Sequence, residues 1–74
     1  MNLKVKNKPA FADVPDLMDE VRRTEKALGP GGRVLLRYSG TEPKIRLLIE
    51  GQDQNEIEQH AQNITRKIQE TIAK

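Results

Sequence analysis

Two arginines, two aliphatic hydroxyls and a glycine fall within one short stretch, Arg37-Tyr38-Ser39-Gly40-Thr41-Glu42-Pro43-Lys44-Ile45-Arg46. It lies between two apolar runs, Val34-Leu35-Leu36 and Ile45, Leu47, Leu48 and Ile49. An arginine stands at each end, Ser39 and Thr41 offer hydroxyls, and Gly40 lets the backbone approach a ligand closely. Together with free backbone N–H groups, that set can grip an anion with three or four oxygens, which in a metabolite usually means phosphate. Each charge-assisted hydrogen bond in such a grip contributes about 1.5–3 kcal/mol. The competing reading is an ordinary hairpin connection, because Ser, Gly, Thr and Pro are common turn residues. Length favours the anion reading: the connection, taken as Ser39 to Lys44, is longer than a tight hairpin requires.

The elements that must hold this stretch can be read from periodicity. Leu3 and Val5 alternate with Asn2, Lys4 and Lys6, which predicts a short strand with one buried face, ended by Pro9. Val14, Leu17, Met18, Val21 and Leu28 recur at helical spacing, with Asp13 as the expected cap and Pro15 in the first turn. Acidic residues come early on the opposite face and basic ones late, as the helix dipole favours. Glu25 interrupts the stripe, and Gly29-Pro30-Gly31-Gly32 stops the helix. Arg33–Tyr38 and Lys44–Glu50 follow as strands. Pairing Leu36 with Leu47 in an antiparallel hairpin also brings Val34 to Ile49 and Tyr38 to Ile45 on one apolar face. The same register sets Arg37 opposite Arg46 on the other face, where they repel unless an anion lies between them. Asp53-Gln54-Asn55-Glu56 is a variant capping box. It opens a last helix whose Ile57, Ala61, Ile64, Ile68 and Ile72 run down one side toward the C-terminus.

Strand, helix, strand, strand, helix predicts an α+β two-layer sandwich: a small, mostly antiparallel sheet with both helices on one face. The open face then carries Lys4, Lys6, Leu35, Arg37, Arg46, Leu48 and Glu50, a basic surface with a small apolar patch. At 74 residues and 35% hydrophobic, the chain fits one domain, residues 1–74, with a small aliphatic core. It has no cysteine, which excludes disulfides and thiolate metal sites and fits a reducing, cytoplasmic setting. No apolar run approaches a membrane span or a signal-peptide core. Thirteen basic and 11 acidic residues balance too evenly to announce a nucleic-acid protein. No Walker loop and no zinc-binding spacing occur, and Ser39 has no nearby histidine to serve as a base. His60, the only histidine, is read as structural, Tyr38 as core, and Glu42 as turned away toward Lys44 or an arginine.

The motif Arg-x-Ser-Gly-Thr-Glu-Pro-x-x-Arg, between a Val-Leu-Leu strand and a Leu-Leu-Ile-Glu-Gly strand, resembles the phosphate-binding loop of the α-D-phosphohexomutase superfamily. Its Ser-Gly-Thr-Glu-Pro form is most similar to the bacterial phosphoglucosamine mutases within that superfamily. The likeness extends over most of the chain and matches the C-terminal domain, the fourth of four. It implies an isomerase domain that holds whichever phosphate of a phosphosugar is not reacting, through Arg37, Ser39, Gly40, Thr41 and Arg46. For the phosphoglucosamine mutases the implied reaction interconverts glucosamine 6-phosphate and glucosamine 1-phosphate, on the route to peptidoglycan precursors. It runs through a phosphoserine and a bisphosphate intermediate, with Mg²⁺ bound in another domain. No phosphoserine segment, Asp-rich metal loop or sugar-reading loop occurs here, so the expectation is a domain cut from a longer enzyme, beginning at Met1 and inactive alone. No catalytic or metal residue is expected in this chain, and its expected partners are the phosphosugar and the enzyme's other domains.

Three alternatives stay open at this point. The domain could belong to a phosphomannomutase or phosphoglucomutase. The basic sheet face could bind nucleic acid, although such domains stack bases on exposed aromatics and only Phe11 and Tyr38 are aromatic here. Or the chain could be a structural interaction domain with the loop as a plain turn.

Overall fold

The computed structural model describes residues 1–72. Strand β1 (Asn2–Lys4) is followed by a single 3-10 turn (Phe11–Asp13) and helix α1 (Pro15–Leu28). A second 3-10 turn (Gly29–Gly31) leads into β2 (Arg33–Tyr38), then β3 (Lys44–Glu50) and helix α2 (Gln54–Thr71). The sheet has strand order β1-β3-β2, and both pairings are antiparallel. The expected α+β sandwich is the observed one, with the longest strand, β3, at the centre.

The register follows from alternation. Val34, Leu36 and Tyr38 of β2 face Ile49, Leu47 and Ile45 of β3, and Leu3 of β1 faces Ile45 from the other side. A slip of one residue would turn this whole apolar set outward, so burial specifies the pairing. Both helices lie on that face. Leu17 and Val21 of α1 and Ile64 and Ile68 of α2 close on Val34, Ile45 and Leu47, joined by Val5 and Ile72. Burial of each such side chain contributes roughly 1.5–3 kcal/mol. Isoleucine costs α2 some helix propensity, so this packing is what holds the helix.

Local signals act as expected at most boundaries. Asp53 caps α2: its Oδ1 accepts from the N–H of Asn55 at 2.9 Å and of Glu56 at 3.3 Å. Gly29 ends α1 with φ 72°, a left-handed value that favours glycine. Gly32 is required for a different reason. A Cβ there would lie 2.7 Å from the Glu50 carbonyl oxygen and 2.7 Å from the Leu28 Cβ, so α1 and the sheet meet at this point only because it has none.

Two expectations for α1 need correction. Asp13 does not cap it; it sits in the preceding 3-10 turn, and Val14 is the capping residue, with no side-chain bond. The expected interruption at Glu25, which is exposed, is bridged on the buried side by Thr24, which is 1% exposed. Thr24 can be buried because its Oγ1 donates to the Glu20 carbonyl at 2.9 Å. The expected first strand is also shorter than Asn2–Lys6, although Val5 N–H still donates to the Pro43 carbonyl at 2.8 Å. No helix among the described residues is long and apolar enough to cross a membrane.

Candidate anion-binding site

The sheet face turned away from the helices is built in rows. Arg33 of β2 faces Glu50 of β3, then Leu35 faces Leu48, then Arg37 faces Arg46. Arg46 is flanked on its other side by Asn2, and Lys44 by Lys4, both from β1. The hairpin register expected from the apolar pattern is therefore present, and the two arginines are direct cross-strand neighbours. Lys44 joins this surface, while Lys6 lies beyond the end of β1. The connection is shorter than expected as well: Lys44 begins β3, which leaves Ser39–Pro43 as the loop.

Carboxylates are distributed unevenly on this surface. Arg33 pairs with Glu50 at 2.5 Å and Lys44 with Glu42 at 2.9 Å. Between those pairs, Arg37 and Arg46 have no carboxylate within ion-pair distance among the described residues. Hydrogen bonding and the charge of Lys44 hold the Glu42 carboxyl below the ordinary glutamate range. The acid in the motif is thus turned onto Lys44, as expected, instead of neutralising the arginines. Arg37 and Arg46, with Leu35 and Leu48, line a shallow depression of ≈ 230 Å³. Leu35 and Leu48 are 39% and 45% exposed, so an apolar floor lies beside the paired guanidinium groups. Apolar surface beside charges lowers the local dielectric and strengthens their field.

The loop is pinned at Ser39. Its N–H donates to the Lys44 carbonyl at 2.9 Å, and its own carbonyl accepts from Lys8 Nζ at 2.7 Å. Its Oγ accepts from the Glu42 N–H at 3.4 Å, which leaves the hydroxyl proton available. Lys44 N–H donates to the Glu42 carbonyl at 2.8 Å, closing a tight turn about Pro43. The N–H groups of Gly40 and Thr41 take no part in these bonds. Gly40 has no positive φ, and a Cβ on it would meet nothing within 4 Å. Among the described residues nothing therefore requires glycine there; a Cβ would obstruct only something arriving from outside them.

Arg37, Arg46, Ser39, Gly40 and Thr41 thus lie on two adjacent strands and the loop that joins them. His60 is half-buried on α2, in the other layer. Tyr38 faces inward: its hydroxyl donates to the Pro9 carbonyl at 2.6 Å, and its ring stacks on Phe11 with centroids 4.8 Å apart. Burial pushes its phenol above the usual tyrosine range. Sequence reasoning missed Lys8, because its bond to Ser39 spans 31 residues and its segment has no periodicity.

The chain is similar in sequence to known proteins. The family profile described as Phosphoglucomutase/phosphomannomutase, C-terminal domain, matches residues 1–67. A phosphoglucosamine mutase of Clostridioides difficile is 38% identical over 71 residues, covering 96% of this chain and 16% of that protein. One from an Anaeromyxobacter species is 39% identical over 72 residues, covering 97% of this chain and 15% of that protein. One from Desulforapulum autotrophicum is 42% identical over 65 residues, covering 86% of this chain and 14% of that protein. The chain therefore spans only a small part of the length of the curated relatives it matches. By the extent of the profile match, it belongs to the family of phosphoglucomutase/phosphomannomutase C-terminal domains.

Proposed function

We propose that the depression between Arg37 and Arg46, with the Ser39–Pro43 loop, holds the phosphate of a phosphosugar. One observation carries the reading: two arginines face each other in register without a carboxylate between them, while the charges on either side of them along the strands are paired. A phosphate would take charge-assisted bonds from one or both guanidinium groups, the hydroxyls of Ser39 and Thr41, and the free N–H groups of Gly40 and Thr41. In this reading the role of the site is to bind and orient. A phosphate held far from the reacting atoms supplies binding energy that aligns the reacting end.

In this reading the chain is the substrate-phosphate-binding domain of an intramolecular phosphotransferase, and it acts with further domains of that enzyme. The relatives' names favour glucosamine phosphates over the glucose or mannose phosphates in the family's description, and the family resemblance implies interconversion between the 6- and 1-positions. The described residues include no group of three or more His, Cys, Asp or Glu side chains that could hold a metal ion. They do not fit a magnesium site, and no step in this chain is assigned to one.

Adding glucosamine 6-phosphate to the chain tests the reading against nucleic-acid binding. Amide shifts confined to Ser39–Thr41 and the two arginines are expected. Shifts spread over the whole sheet face with a single-stranded oligonucleotide, and none with the sugar phosphate, would reverse the assignment. The inward, mutually stacked Phe11 and Tyr38 leave no aromatic on the open face for bases, which favours the sugar phosphate.

A further inference from the structure

The Ser39–Pro43 loop is braced by the segment between β1 and α1, at both of its ends. At one end Val5 N–H donates to the Pro43 carbonyl at 2.8 Å. At the other, the Tyr38 hydroxyl donates to the Pro9 carbonyl at 2.6 Å, and Phe11 stacks on the Tyr38 ring with 14° between planes. Lys8 lies between these attachments, so its backbone is held on both sides. Its Nζ donates to the Ser39 carbonyl at 2.7 Å.

That bond falls on the peptide that carries the Gly40 N–H. The chain has no cis peptide among the described residues, so the Ser39 carbonyl and the Gly40 N–H point in opposite directions from one plane. Fixing the carbonyl fixes the direction of the N–H. A cation on the oxygen also polarises the peptide and makes its N–H a stronger donor. With Ser39 N–H already committed to the Lys44 carbonyl, rotation of this peptide is the loop's remaining freedom at that point.

We infer that Lys8 is a positioning residue for anion binding: it aims and strengthens the Gly40 N–H from the far side of the Ser39–Gly40 peptide, without touching the anion. This deepens the phosphate-binding reading and rests on it. It adds to the site a residue far away in sequence, whose contribution comes through the backbone rather than through its own charge at the ligand.

The test compares the whole chain with its Lys8→Met and Lys8→Arg variants by backbone amide NMR. In the phosphate-free protein, Lys8→Met should lower the heteronuclear NOE of Gly40 and move its amide proton upfield, while Lys8→Arg keeps both near wild type. Titration with inorganic phosphate should give a Kd roughly three- to tenfold weaker for Lys8→Met, about the weight of one hydrogen bond, and restored by Lys8→Arg. The ratio should persist in about 1 M sodium chloride, where screening acts within about 3 Å. Thermal unfolding should be unchanged, since Lys8 is exposed. An unaltered Gly40 amide and NOE in free Lys8→Met would overturn the inference. So would a Kd deficit that vanishes at high salt, which would make Lys8 a simple charge. If wild type itself failed to respond to phosphate, the phosphate reading would fall, while the phosphate-free comparison would still decide whether Lys8 sets the Gly40 N–H.

Discussion

Arg37 and Arg46 face each other on adjacent strands, and the nearest carboxylate in the motif, Glu42, is bound to Lys44. A pair of like charges in this position is unfavourable for the free protein and favourable once an anion arrives. Gly40 separates stability from binding at the same site, because a Cβ there meets nothing and φ is not positive. Gly40→Ala should leave the folded state intact or stabilise it by about 0.4–1 kcal/mol, through a less flexible unfolded chain. Phosphate affinity should fall about fivefold, as one backbone donor is shielded. Thermal melts beside a phosphate titration check both halves; unchanged affinity would mean that nothing approaches Gly40. Tyr38 gives a second residue-scale prediction. Its phenol is raised above 10.0 by burial, so its neutral form is favoured by folding. That contribution is fully present below the unfolded value and is lost as pH rises through the folded one. Ultraviolet titration of this single tyrosine should give a midpoint above 10.0, with denaturant stability declining over the same alkaline range.

Among the elements, the hinge between α1 and the sheet is the most tightly fitted point. Gly32→Ala would push a methyl group against the Glu50 carbonyl and Leu28, both at 2.7 Å. Overpacking of this kind costs about 1–3 kcal/mol, a large share of the stability of so small a domain. Urea denaturation should show a lower midpoint, and an unchanged midpoint would contradict the packing described. The hairpin was legible in the sequence because both strands carry apolar residues at every second position, so only one register buries them all. The arginine pair came with that register. The bracing of the loop was not legible. Lys8, Pro9 and Phe11 lie in a segment without periodicity, and their partners are about thirty residues away. The same stacking explains the misplaced cap: with Phe11 on Tyr38, Phe11–Asp13 closes into a 3-10 turn and Asp13 comes one residue too early for α1. Thr24 was passed over because its polarity hides a burial that a local backbone bond makes affordable.

As a molecule, the chain is a two-layer scaffold, and the arginines of the proposed site stand on the sheet face that no helix covers. That face joins paired charges, two unpaired arginines and two half-exposed leucines. It suits a surface that closes over a ligand with material from elsewhere, in line with proteins of which this chain matches only 14–16%. A coupled assay with glucosamine 6-phosphate should therefore register no turnover by the 74 residues alone. Measurable turnover would show that chemistry resides here, and the binding-only role would have to be abandoned.

The central claim is that Arg37, Arg46 and the loop between them form a phosphate site, and titration of the isotope-labelled chain with inorganic phosphate tests it most directly. The amides of Ser39, Gly40 and Thr41 should move along a saturable curve. Arg37→Ala should weaken that response roughly 10- to 100-fold, the worth of one charge-assisted pair. Amides that stay still at high millimolar phosphate, or that move identically in Arg37→Ala, would contradict it.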